Sequence, residues 1–504
     1  MLYHFLLEYG SDCSYNRYVR NLTKEMTYNM EKINAWTTYT DKQQDELEKL
    51  CAGYIDFLSD GKTERECASI TVEMAKKAGY EDLAEVIKAG KSLKTGDKVY
   101  AVNMNKAVIL FNIGSEPITS GMNILGAHID SPRLDVKQNP LYEDTGFAYL
   151  DTHYYGGVKK YQWVTIPLAI HGVVAKKDGE VVNVVIGEDP KDPVLCVTDL
   201  LIHLASKQME KKATVVVEGE QLDVLIGSKP IGKAGCGKDA DKDDDKAEAE
   251  KEAVKKNILA LLKEKYGIEE EDFLSAELEV VPAGRARECG IDRSMIMSYG
   301  QDDRVCAYTS LMAMLDTPSV DRTACCILVD KEEIGSVGAT GMESKFFENT
   351  VAEILNAMGE YNGLNLKRTL ANSKMLSSDV NAAYDPLYAD AFEKRNSSLA
   401  GCGMVFNKFT GSRGKSGSND ANAEYIAKVR KIMDEEGVKF QLAELGKVDI
   451  GGGGTIAYIL ALYGMDVIDC GVAVLNMHAP WEITSKADVY ETKRGYEVFL
   501  KKMW

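Results

Sequence analysis

Five short segments of this chain set imidazoles and carboxylates at the ends of apolar runs. They are Asn123 to Pro132 (Asn-Ile-Leu-Gly-Ala-His-Ile-Asp-Ser-Pro), Gln301-Asp-Asp-Arg304, Val329-Asp-Lys-Glu-Glu-Ile-Gly335, Ser377-Ser-Asp-Val-Asn381 and Leu475-Asn-Met-His-Ala-Pro480. Two zinc ions acting together need neutral imidazole nitrogens, terminal carboxylates, one carboxylate shared between the ions and an open position for water. His128 and His478 are assigned as the imidazole ligands, Glu333 and Asp379 as the terminal carboxylates and Asp302 as the bridge, with Asp303 the neighbouring alternative for the bridge. Glu332 is assigned as the general base, which takes a proton from the attacking water and returns it to the leaving amine. Asp130, two residues beyond His128, is placed to accept the other ring N–H and hold the ligand tautomer. Each segment alone is weak, because HxD triplets are common and a Glu pair is usually a solvated surface feature. Their joint occurrence in order at strand ends carries the reading. Oxygen and nitrogen ligands of this kind accept Zn²⁺, with Mn²⁺ or Co²⁺ as alternatives.

The elements that must hold these residues follow from periodicity. Helical spacing runs from Asp41 to Gly53 and from Thr63 to Ala78, with Thr63 and Glu66 placed as a capping box. Strands are expected around Lys98 to Asn112 and from Asn123 to Ala127. Beyond Thr323 apolar strands alternate with helices: Ala324 to Val329, a helix Glu343 to Gly359, a strand before Asp379, a helix Asn419 to Glu436, then Ile468 to Leu475. Such alternation predicts an α/β fold with a mixed, mostly parallel central sheet flanked by helices. Functional side chains gather beyond the carboxyl ends of such strands. Between the two α/β stretches, Asp151 to Asp192 is rich in Tyr, Val and Ile, and Lys177-Asp-Gly179 is a hairpin signal. The chain is accordingly divided into a first catalytic part (1–138, with 1–29 a doubtful leader and Met30 an alternative start), a β-rich domain (139–282), for which the resemblance named below implies a dimerisation or lid role, and a second catalytic part (283–504). The Lys/Asp/Glu-rich stretch 233–256 is read as a solvated loop running into a helix.

At 504 residues the chain exceeds one simple core, and 45% apolar residues suffice for a large interior. A net charge of −18 argues against nucleic acid or an anionic membrane as partner. Eleven scattered cysteines without a CxxC pair fit reduced thiols in a cytoplasmic protein. No run of about 18 apolar residues exists, and no signal peptide is read. The run Gly451-Gly-Gly-Gly454 lacks the Lys-Ser/Thr of a phosphate loop, so a close backbone approach or a tight strand-to-helix turn is expected there. His203, on an expected amphipathic helix from Thr198 to Glu210, is read as structural.

Taken together, Ala127 to Pro132, Thr152-His-Tyr-Tyr-Gly-Gly157, Ile166-Pro-Leu-Ala-Ile-His171, Asp330 to Ser336, Ser378-Asp379, Gly411 to Glu424 and Asn476-Met-His478 resemble the aspartyl aminopeptidase family of metallopeptidases, in particular its bacterial branch. The resemblance runs from about residue 30 to the end. It implies removal of single N-terminal residues from peptides with a free amine, using two zinc ions per chain. It carries the same roles onto His128, Asp130, Asp302, Glu332, Glu333, Asp379 and His478. It further implies a homo-oligomer, a tetrahedral dodecamer built from dimers, in which the β-rich insertion lends a histidine to the neighbouring site. His171 matches that histidine, where an imidazole would stabilise an oxyanion. An acidic N-terminal preference would need a cation, for which Lys408 is the candidate, with Lys374, Arg413 and Lys415 nearby. The alternatives are a glutamyl-aminopeptidase-like dimetal exopeptidase or deacylase, and a self-assembling homologue without turnover.

Overall fold

A computed structural model describes residues 32–231 and 252–504. The leader 1–29 and most of the charged stretch 233–256 lie outside the described residues. The chain opens with two capped helices, Asp41–Asp60 and Glu64–Lys77. Thr63 Oγ1 accepts the Glu66 N–H at 3.2 Å while Glu66 Oε2 accepts the Thr63 N–H at 3.0 Å, a reciprocal cap contributing about 1 kcal/mol.

A nine-stranded sheet follows, its strands beginning, from edge to edge, at residues 81, 98, 107, 324, 123, 374, 466, 404 and 440. Its four central neighbours, Ala324–Val329, Asn123–His128, Lys374–Ser378 and Asp466–Gly471, all run parallel. They are buried on both faces, which is why they read as unbroken apolar runs. Alternate side chains feed different cores. Leu125, Ala127, Cys326 and Leu328 pack with the helices Asp41–Asp60, Gln301–Leu315 and Lys486–Lys502, whereas Ile124, Cys325, Ile327 and Met375 pack with Phe346–Ala357 and Ala457–Ala461. The fold is thus α/β with a mixed, mostly parallel sheet.

The second sheet has seven antiparallel strands beginning at residues 181, 168, 276, 133, 147, 224 and 196. Its strand Arg133–Asp144 runs straight through residue 139, so the seven-stranded sheet begins six residues ahead of the expected boundary. The hairpin at Lys177-Asp-Gly179 forms with Gly179 at φ +93°, a conformation that suits glycine. Between Thr198 and Glu210 the expected single helix is instead two short pieces, Ile202–Leu204 and Ser206–Met209. Leu200, Leu201, Ile202, Leu204 and Met209 are exposed there, so among the described residues the apolar spacing meets no core.

A third sheet joins strands Arg287–Cys289, Met295–Ser298, Glu482–Ser485, Ala473–Leu475 and Asn381–Ala382. It was not anticipated. The glycine run leads toward the helix Ala457–Ala461, and a Cβ on Gly452 would sit 2.5 Å from Ser412 Cα, so these glycines let two loops lie backbone against backbone. Among the described residues no helix is long and apolar enough to cross a membrane.

Candidate metal centre

Register brings the segments together. Val329 pairs with His128, and Ser377 pairs with Gly126, so Asp379, two residues beyond Ser377, arrives level with His128 at the carboxyl end of the sheet. The small third sheet does the rest. Ser298 pairs with Glu482, placing the start of the buried helix Gln301–Leu315 beside the loop that follows Ala473–Leu475 and carries His478.

Asp302 lies between the two histidines. Its Oδ1 is 3.3 Å from His128 Nε2 and its Oδ2 is 3.2 Å from His478 Nε2. Around His128 Nε2 stand Asp379 Oδ1 at 3.9 Å and Glu332 Oε2 at 4.0 Å, and Glu333 Oε2 lies 3.6 Å from His478 Nε2. Asp303 also comes within ligand range of His128 and Asp379. Its Oδ2, however, accepts the backbone N–H of His128 at 3.3 Å, and only Asp302 offers one oxygen to each imidazole.

Both ring tautomers are set by carbonyls. His128 Nδ1 donates to the Asp130 carbonyl at 3.0 Å, and His478 Nδ1 donates to the Gly157 carbonyl at 2.9 Å, so both Nε2 atoms face Asp302 and in the neutral rings would be the ligand atoms. The nearer acceptor for His128 is therefore the backbone of Asp130, its carboxylate standing at 3.3 Å. That carboxylate also binds the chain opposite. Its Oδ1 accepts the N–H of Glu332 and its Oδ2 that of Glu333, each at 3.2 Å, while Tyr155 donates to Oδ2 at 2.8 Å. Asp130 thus holds the Glu332-Glu333 turn against His128, and the two adjacent Glu side chains diverge, one toward each histidine.

The electrostatics favour cations here. Burial, then the charge of Asp302, pushes Glu333 well above the ordinary carboxylate range, and burial with Asp303 and Asp302 does the same to Asp379. Glu332 is pushed up to about 7, by burial first and then by Asp130 and Asp302, with His128 opposing. Burial opposes protonation of His478, yet its contacts with Asp302 and Glu333 raise it to about 10. Six carboxylates, those of Asp130, Asp302, Asp303, Glu332, Glu333 and Asp379, crowd two imidazoles, and among the described residues the buried Glu333 Oε1 and Asp303 Oδ1 have no hydrogen-bond partner. Without metal such a group must take up protons, because isolated buried charge is costly. Divalent ions meet the same need, and the nitrogen and oxygen donors suit zinc. A cleft of about 780 Å³ borders Glu333, Tyr155, Gly156 and Gly157.

Several contributors were not anticipated. Glu482 is buried and accepts the N–H of His478, Ser131 Oγ donates to the Asp302 carbonyl at 2.7 Å, and Arg304 donates to the carbonyls of Ile129 and Lys62. Tyr155 and Gly157 reach in from the seven-stranded sheet. The Tyr-Tyr-Gly-Gly segment was the only signal for them, and only through resemblance.

Two expected residues are not brought to the cluster. His171 is 3% exposed, and within its own chain its ring nitrogens meet Glu66 Oε1 at 2.8 Å and Glu188 Oε1 at 3.2 Å. Burial works against its protonation, but Glu188 and Glu66 hold its pKa above the ordinary 6.5. A raised folded-state pKa gives stability that is fully present below the unfolded value and is lost as pH rises through the folded one. The melting temperature of His171→Gln should therefore fall furthest below that of the parent in acid and approach it as pH rises past the raised pKa. A constant gap from about pH 5.5 to about pH 9 would refute this. The Lys408 ammonium is paired with Asp420 Oδ1 at 2.9 Å, and Lys415 with Oδ2 at 3.1 Å, so two half-exposed cations share one carboxylate. Lys374 is paired with Asp466.

Comparison with known proteins gives a consistent picture. The family model described as "Aminopeptidase I zinc metalloprotease (M18)" matches residues 57–500. A probable M18 family aminopeptidase 1 of Clostridium acetobutylicum is 62% identical over 470 residues, covering 93% of this chain and 98% of that protein. The crystal structure of an M18 aminopeptidase from Thermotoga maritima superposes with a TM-score of 0.87 at 43% identity, covering 94% of this chain and 100% of the other. The S. cerevisiae mApe1 dodecamer shares the fold, with a TM-score of 0.69 at 21% identity, covering 92% and 97%.

Proposed function

The chain belongs to the M18 family of zinc aminopeptidases, and on that premise we propose that it removes single N-terminal residues from peptides at a two-zinc centre. The observation that carries the two-ion reading is Asp302, with one carboxylate oxygen turned to each histidine. His128, Asp302 and Asp379 would hold one ion, and His478, Asp302 and Glu333 the other. Zinc, when bound, polarises the scissile carbonyl and activates a water. Glu332 would take the proton of the attacking water and return it to the leaving amine. Asp130 acts through others, fixing His128 and the Glu332-Glu333 turn.

Selectivity for Asp or Glu at the N-terminus would have Lys408 exchange or share its contact with Asp420 for one with the substrate carboxylate. Peptides differing only in that residue, assayed with zinc-loaded enzyme at neutral pH, are expected to show release of neutral residues at least as fast as of acidic ones. Turnover confined to Asp and Glu would restore the acidic pocket. Cleavage of N-acyl amino acids but not of free-amine peptides would replace the aminopeptidase reading by a deacylase.

We also propose a homo-oligomer assembled from dimers, a tetrahedral dodecamer being the arrangement that the sequence resemblance implies. Two separate exposed apolar groups support more than one kind of interface. Leu200, Leu201, Ile202, Leu204 and Met209 lie on the seven-stranded unit, and Leu387, Tyr388, Val448 and Ile450 on adjoining loops of the α/β unit.

A further inference from the structure

Glu482 opens the strand Glu482–Ser485 and is 1% exposed, yet none of the motifs above includes it. Its two oxygens serve two segments: Oε1 accepts the N–H of His478 at 2.7 Å, and Oε2 accepts the N–H of Asp302 at 3.1 Å. Neither segment is regular structure at that point. Asp302 has non-helical angles at the start of its helix, and His478 sits at φ +64°. No ladder or helical bond would hold these two N–H groups in place, so the carboxylate does. The clamp is itself fixed, since the Gln301 side-chain amide donates to the Glu482 carbonyl at 2.7 Å and to the Ile296 carbonyl at 3.1 Å.

We propose that Glu482 is a positioning residue that ties the bridging carboxylate to His478 and thereby sets the affinity of one metal position, that of His478, Asp302 and Glu333. The other position depends on His128 and Asp379. There Asp303 accepts the His128 N–H, and Glu482 reaches that position only through the shared Asp302, so the His478 position should respond more strongly. This inference rests on the two-zinc reading. Only an ionised or otherwise donor-free carboxylate serves both N–H groups; a glutamine of the same shape turns an N–H₂ toward one of them.

The test follows zinc leaving the holoenzyme into a chromophoric chelator, parent against Glu482→Gln and Glu482→Asp. The parent should release two ions per chain. In Glu482→Gln one ion should bind about 10–100-fold more weakly, the range expected when a group supporting a ligand is lost, with the second ion less affected. Glu482→Asp, which keeps the charge but is one methylene too short to reach both N–H groups, should weaken the same ion and gives the comparison should the glutamine variant not fold. Both ions held as in the parent, or both loosened equally, would overturn the clamp. A parent that carries a single ion would instead overturn the two-zinc reading beneath it.

Discussion

Glu332→Gln should lower kcat by about 10²–10⁴-fold, or about 3–5 kcal/mol of barrier, with KM and the zinc content nearly unchanged. Glutamine has the same shape but accepts no proton, so the loss isolates proton transfer. The geometry makes the zinc measurement essential. Glu332 Oε2 and Asp379 Oδ1 lie 4.0 and 3.9 Å from the same His128 nitrogen, so distance alone does not separate base from ligand. A base leaves the metal in place when replaced; a ligand does not. Full activity in Glu332→Gln would remove Glu332 from the mechanism, and loss of one zinc would exchange its role with that of Asp379.

Asp302→Asn should cost more than any other single substitution in the cluster. The amide keeps one acceptor and turns an N–H₂ toward one of the two imidazoles, which leaves that metal position without its shared oxygen. Zinc affinity at one position should fall by about 100-fold or more, beyond the effect of losing a supporting group, with activity falling alongside. Asp303→Asn provides the contrast. Its carboxylate holds the His128 N–H, so both ions should remain with a smaller loss of activity. The reverse pattern, with zinc lost in the Asp303 variant and kept in the Asp302 variant, would move the bridge to Asp303.

The central sheet was legible because its strands are long, buried on both faces and separated by amphipathic helices. Those patterns are local. The segments that form the His, Asp and Glu cluster were legible for the same reason, each being a polar residue at the end of an apolar run. Asp302 and Asp303 could not be told apart, because adjacent residues share every sequence signal and only the opposed histidines distinguish them. The third sheet was invisible. Its strands are two to four residues long, too short to show a period of two, and they come from distant parts of the chain. Glu482 was missed with it, since its importance lies in two N–H groups brought to it by that sheet. The partners of His171 and Lys408 within the chain, Glu66, Glu188 and Asp420, are remote or unremarkable in sequence and were not legible.

The central claim is an aminopeptidase centre that works with two zinc ions. It is tested most directly by adding zinc stepwise to chelator-stripped enzyme while following release of the first residue from a free-amine peptide with a neutral N-terminal residue. Release that rises until two equivalents per chain are bound, and then levels, is the expected result. Full activity at one equivalent, or no release at any zinc loading, would contradict it.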